Sequence, residues 1–149
     1  MKEIEYYDLD WRDDVAYEFD SKSPFTGIVV NYYTETEKKL KEKFTNKNGE
    51  KDGSYESYHE NGSLNFKGNY SKGVLEDGSY EKYYENGQIW IEGTYQKGEL
   101  HGPFKKFYEN GQLWEEGKFK EGKKEGLHIR YHENGQIYDQ RNYLNGELL

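Results

Sequence analysis

Residues 78–101 read GSYEKYYENGQIWIEGTYQKGELH, and this stretch decides the fold. Its centre, Glu85-Asn86-Gly87, holds an Asn-Gly pair. That pair is the strongest short signal for a two-residue hairpin turn, because both central residues of a type I′ turn need φ > 0. Closing such a turn sets Glu85 opposite Gln88, Tyr84 opposite Ile89 and Tyr83 opposite Trp90. Further out, Lys82 meets Ile91, Glu81 meets Glu92 and Tyr80 meets Gly93. Opposed side chains share a face, and faces alternate along each strand. One face then carries Tyr80, Tyr84, Ile89, Ile91, Gly93 and Tyr95, and the other carries Tyr83 and Trp90 flanked by Glu81 and Glu92.

The same unit recurs along the chain. GSYESYHENGSLNFKGNYSKGVLED begins at Gly53, GPFKKFYENGQLWEEGKFKEGKKE at Gly102 and GLHIRYHENGQIYDQRNYLNGELL at Gly126. The E-N-G triplets start at Glu60, Glu85, Glu109 and Glu133, spaced by 25, 24 and 24 residues. Self-similarity at such a period marks a repeat architecture. A degenerate copy starts at Gly27 with an altered turn, and residues 6–26 read as a further half-repeat. The chain therefore parses into an acidic N-terminal capping segment, 1–26, and five tandem hairpins: 27–52, 53–77, 78–101, 102–125 and 126–149. These form one continuous domain. The predicted fold is all-β, an elongated single-layer antiparallel sheet of consecutive hairpins.

Composition agrees with a thin sheet. Only 32% of residues are hydrophobic, yet 17% are aromatic, with sixteen tyrosines. A disordered chain would be poor in aromatic residues too. There is no cysteine, which excludes disulfides, thiol nucleophiles and thiolate metal sites. No apolar run approaches the ~18 residues of a membrane span. Without an export signal in the sequence as it stands, the expected location is cytoplasmic; removal of such a signal would make it periplasmic or envelope-bound.

The net charge of −8 is concentrated early, since residues 1–20 carry −6 of it. An acidic chain is a poor candidate for nucleic acid or anionic lipid and a better one for a basic protein. The acidic segment serves either as a cap on the first edge or as an arm that steers a basic partner. Lys38, Lys39, Lys41, Lys43 and Lys47 read as a solvated strand edge.

The pattern Y-x-E-N-G-Q-hydrophobic-x-x-x-G-x-Y/F-x-x-G resembles the bacterial variant of the MORN repeat. Ser23-Pro24-Phe25-Thr26-Gly27 is similar to the lead-in of such proteins. The resemblance is strong from Gly53 to Gly146 and implies consecutive antiparallel hairpins. More distantly, it implies an antitoxin or immunity role, with a basic toxin domain as partner. Two departures, Arg141 in a glycine slot and the altered turn of the Gly27 copy, suit capping repeats.

No catalytic constellation is expected. Glu60, Glu85, Glu109 and Glu133 recur because they flank turns, whereas acid–base catalysis needs groups convergent on one bond. His59 and His132 occupy the slot of Tyr84 and Tyr108, and His101 and His128 lack companions at ligand spacing, so neither a metal nor another cofactor is implied.

The expected function is a non-enzymatic protein-interaction module. Its contact residues would be Tyr58, Tyr83, Trp90, Phe107, Trp114, Tyr131 and Tyr138, with Glu92 and Glu116 beside them. Packing and recognition both remain open readings of this aromatic stripe, Trp and Tyr being enriched in binding hot spots. The alternatives are an exported envelope adaptor and lipid-headgroup or glycan binding. An edge-paired homodimer is open beside a monomer, and membrane binding is disfavoured by charge.

Overall fold

Two kinds of turn punctuate the chain, and they differ from the sequence expectation in an instructive way. A computed structural model describes residues 1–34 and 36–149. At the E-N-G triplets the asparagines Asn61, Asn86, Asn110 and Asn134 do not have positive φ; only the following glycines do. Gly87 N–H donates to the Tyr84 carbonyl, and Tyr84 N–H donates to Gln88. This is a three-residue loop, a type I turn closed by a left-handed glycine. The asparagine acts through its side chain instead, since Gln88 N–H donates to Asn86 Oδ1 at 2.9 Å and Gln112 N–H to Asn110 Oδ1 at 2.9 Å. Two-residue turns with φ > 0 at both positions lie at the opposite end of each unit, at Asn48-Gly49, Lys72-Gly73, Lys97-Gly98, Glu121-Gly122 and Asn145-Gly146, and another, Asp13-Asp14, joins the paired residues Arg12 and Val15.

Each of these tight turns at the unit ends is tied down by the residue that precedes an earlier repeat-opening glycine. The backbone N–H of Asn48 donates to Thr26 Oγ1, that of Lys72 to Asp52, that of Lys97 to Asp77 and that of Asn145 to Glu125. Glu121 N–H reaches His101 Nδ1 at a longer 3.5 Å.

The fold is all-β, with no α-helix among the described residues, and the chain forms two compact units, Met1–Leu75 and Glu76–Leu149. The first contains β1 (Glu3–Glu5), β2 (Leu9–Arg12), β3 (Val15–Glu18), β4 (Gly27–Tyr32), β5 (Leu40–Lys47), β6 (Glu50–Tyr58), β7 (Leu64–Ser71) and β8 (Val74–Leu75). Strands β4 to β8 run as an antiparallel meander, with β1 added in parallel beside β4.

Within residues 6–26, read above as a further half-repeat, the strands stand apart from the long sheet. Strands β2 and β3 pair with each other, with Tyr17 of β3 also bridged to Pro24, and make a small second layer. Leu9 and Ala16 from that layer pack with Phe25, Val29 and Phe44 in a buried apolar cluster. The layer is held by backbone bonds, Ala16 N–H to Gly49 and Phe25 N–H to Ala16. The reason is composition: Phe25, Val29 and Phe44 give this unit enough aliphatic and aromatic bulk to bury against a covering hairpin.

The second unit contains β9 (Gly78–Tyr83), β10 (Ile89–Gln96), β11 (Glu99–Phe107), β12 (Leu113–Lys120), β13 (Lys123–Tyr131), β14 (Ile137–Leu144) and β15 (Glu147–Leu148). These form an antiparallel meander, each strand paired with the next in sequence. It is one layer deep: Phe104 is its sole buried apolar side chain and His128 its sole buried polar one.

Candidate protein-interaction surface

The three-residue loops have a consequence for every side chain near them. A loop longer by one residue shifts the ladder, and a bulge on the returning strand restores it. Ile89 pairs with Tyr83, Ile91 pairs with Lys82, and Trp90 is the extra residue between them. Trp114 lies between the pairs Leu113–Phe107 and Glu115–Lys106, and Tyr138 between Ile137–Tyr131 and Asp139–Arg130. A bulge re-aims a side chain. Here it turns both tryptophans and Tyr138 onto the face of Tyr80 and Tyr84.

Ring contacts fix this placement. Trp90 lies 5.8 Å from Tyr84, Trp114 lies 5.8 Å from Tyr108, and Tyr138 meets His132 edge-on at 5.0 Å. The expected stripe pairing Tyr83 with Trp90, Phe107 with Trp114 and Tyr131 with Tyr138 is therefore corrected: the members of each pair lie on opposite faces. Ile89 and Leu113, expected on the Tyr84 face, lie on the other.

The first face of residues 76–149 is a ladder of aromatic rings and cations. Tyr80 and Tyr95 are 4.7 Å apart, Phe104 and Phe119 5.1 Å, and His128 meets Phe119 and Tyr143 edge-on at 5.4 Å each. Lys106 Nζ lies 4.0 Å from the Trp114 ring centre and 5.5 Å from that of Trp90. Burial beside the indoles lowers the Lys106 pKa. Tyr84 donates its hydroxyl hydrogen to the Phe107 carbonyl and Tyr108 to the Tyr131 carbonyl, each at 2.8 Å, so both tyrosines stitch one repeat to the next. Glu115 completes the ladder between Lys124 and His128. These side chains already hold one another.

The second face is different. It carries the cross-strand pairs Tyr83–Ile89, Phe107–Leu113 and Tyr131–Ile137, with no covering layer among the described residues of this unit. Around them run Glu81, Glu92, Lys105 and Glu116 in paired register, Glu81–Glu92–Lys105 and Lys105–Glu116–Ile129. Tyr83 donates to Glu81, and that bond together with burial pushes its phenol up to about 12. Tyr131 donates in the same way to Glu116, which raises its pKa. A hollow of about 400 Å³ opens beside them, lined by Pro103, Lys105, Glu116, Leu127 and Ile129 among others. Leu127, which lines it, and Ile137, opposite Tyr131, are 46% and 53% exposed. Tyr58, cross-strand to Leu64, repeats the aromatic–aliphatic pair within the first unit and donates to Glu56.

Of the nine expected contact residues, the structure brings Tyr83, Phe107, Tyr131, Glu92 and Glu116 onto this one face. It places Trp90, Trp114 and Tyr138 on the other face, and Tyr58 in the other unit. Ile89, Leu113 and Ile137 were missed as surface residues, and the missing signal was the bulge. Among the described residues no group of three His, Cys, Asp or Glu side chains is placed to hold a metal ion.

A family model for the MORN repeat variant matches residues 51–72, 76–97, 100–121 and 124–145, more than half of the chain. The chain belongs to the MORN repeat variant family. Each match begins two residues before a repeat-opening glycine and spans one E-N-G hairpin. MORN repeats are in general non-catalytic modules that contact proteins or membranes. No curated protein matches the chain significantly.

Proposed function

We propose that this MORN-repeat chain is a non-enzymatic binding module that holds a protein partner against the second face of residues 76–149. The observation that carries this reading is the contrast between the faces. Trp90 and Trp114 are engaged by Lys106, Tyr84 and Tyr108, whereas the pairs Tyr83–Ile89, Phe107–Leu113 and Tyr131–Ile137 present apolar surface without a covering layer. A row of aromatic and aliphatic side chains rimmed by charge is the composition of a binding surface. Glu81, Glu92, Glu116 and Glu125 outnumber Lys105 and Lys118 on this face, which suits a basic partner, and electrostatic complementarity steers such an encounter. The partner class that fits the family resemblance and this charge is a small basic toxin domain, which the module would inhibit by occlusion.

The test is a pull-down from the native cell with three baits: wild type, Phe107→Ala/Leu113→Ala and Trp90→Ala/Trp114→Ala. A basic protein retained by the folded tryptophan variant and lost with the Phe107/Leu113 variant supports the reading. Loss with the tryptophan variant alone would move the contact to the first face.

A further inference from the structure

The small second layer of the first unit carries a hollow of its own. It has a volume of about 500 Å³ and is lined by Tyr7, Asp8, Leu9, Asp10, Trp11 and Phe19. Two large rings on its rim stand in solvent, Tyr7 at 70% and Phe19 at 79% exposure. They project from opposite sides of the β2–β3 hairpin: Tyr7 sits in a 3-10 turn before β2, and Phe19 follows β3 directly. Leu9 and Glu18 are cross-strand partners, which sets Asp8 and Phe19 just outside the last pair of the ladder.

Behind this rim the platform is rigid. Trp11 stacks on Tyr6 at 4.8 Å and donates its indole N–H to the Tyr6 carbonyl, while Tyr7 meets Tyr6 edge-on at 5.5 Å. Arg12 holds Asp10 on the cup's lining and covers Tyr17, so Asp8 is the cup's other carboxylate. Among the described residues no ion pair engages Asp8.

From this arrangement we propose that the Tyr7–Trp11–Phe19 cup receives a Lys or Arg side chain of a basic protein segment. Aromatic faces attract a cation through the ring quadrupole, and a carboxylate at the rim adds a direct charge partner. Exposed rings flanking a carboxylate favour a cation over an apolar ligand, which would leave Asp8 desolvated and unpaired. Residues 1–20 carry a net charge of −6; Lys38 and Lys43 pair with Glu5 and Glu3, and the excess around the cup rests on Asp8, Asp13, Asp14 and Asp20. That excess favours a polybasic protein segment over a small isolated cation. The cup lies in the first unit and rests on residues distinct from the second-face surface proposed above, so either reading can fail without the other.

The experiment titrates the full chain, labelled for NMR, with a Lys-rich peptide, with the same peptide carrying neutral norleucine for Lys, and with choline. The expected result is a saturable shift of the Trp11 indole resonance with the Lys-rich peptide. It should weaken by at least about threefold in Tyr7→Ala, Phe19→Ala or Asp8→Asn. Both rings are solvent-exposed, so the alanine variants should keep the wild-type spectrum elsewhere, which the same data show. An equal response to the norleucine peptide would overturn the proposal in favour of an apolar contact. A response to choline alone would overturn it in favour of a lipid headgroup, and no shift at Trp11 with any probe would leave the cup without a ligand.

Discussion

The ammonium of Lys106 sits 4.0 Å from the centre of the Trp114 ring. Together with Trp90 on its other side, it forms the middle rung of the first-face ladder. In a sheet one layer deep, rings and lysine stems do the work that a second layer does elsewhere. Trp114→Ala should therefore destabilise the second unit by about 2 kcal/mol, and Lys106→Ala by about 1 kcal/mol. Urea unfolding followed by tyrosine fluorescence checks both, and a neutral Trp114→Ala would show that the ladder is decorative.

The tight turns predict a gain. Lys97 adopts φ of 53° ahead of Gly98, in a slot where the chain elsewhere uses Asn48 and Asn145. Asparagine tolerates the left-handed region better than lysine. Lys97→Asn should raise stability by about 0.5 kcal/mol, read as a higher thermal midpoint. By contrast, Asn110→Ala in the three-residue loop removes the acceptor for Gln112 N–H and should cost about 1 kcal/mol.

Glu115 gives the second unit an acid limb. Burial alone would raise its pKa, but hydrogen bonds and charge from Lys124 and His128 outweigh that and hold it below the usual carboxylate value. The native state thus binds this proton less readily than the unfolded chain. The stabilisation is present above the ordinary carboxylate pKa and is lost as pH falls through the lowered native one. Glu115→Gln should be less stable than wild type at neutral pH and should converge with it in acid. Urea midpoints measured between about pH 7 and pH 3 test this.

Asn46 is fully buried in the first unit, and neither of its amide atoms has a hydrogen-bond partner among the described residues. A buried polar group without a partner costs about 1–3 kcal/mol. Replacing it by the similarly sized Leu should therefore stabilise the unit, seen as a higher urea midpoint. A lower midpoint would mean that the amide is satisfied in solution.

The hairpin array was legible because E-N-G triplets at a fixed spacing and alternating aromatics are local signals. The register from Tyr80–Gly93 to Lys82–Ile91 matches the reading because the bulge at Trp90 offsets the longer loop. The face of Trp90 does not match it, because Asn86 favours two different turns. It tolerates φ > 0, and its side chain also accepts a hydrogen bond two residues on. Only the second is used, and one extra loop residue then forces a bulge and reverses Trp90. The covering hairpin at Leu9–Glu18 was missed for another reason: its alternation looks like that of any repeat strand. What separates it is the nonlocal packing of Ala16 against Phe25 and Phe44, which no local pattern encodes.

The residues that anchor the tight turns, Thr26, Asp52, Asp77, His101 and Glu125, are chemically unlike. What they share is a lone pair held where a backbone N–H arrives some twenty residues later. Such a slot is specified by the atom it offers rather than by the amino acid that offers it. A library of variants at His101 should accordingly sort into two groups, acceptors and non-acceptors, with size, charge and aromaticity secondary. The repeat can thus vary its alphabet at this position while its grammar stays fixed.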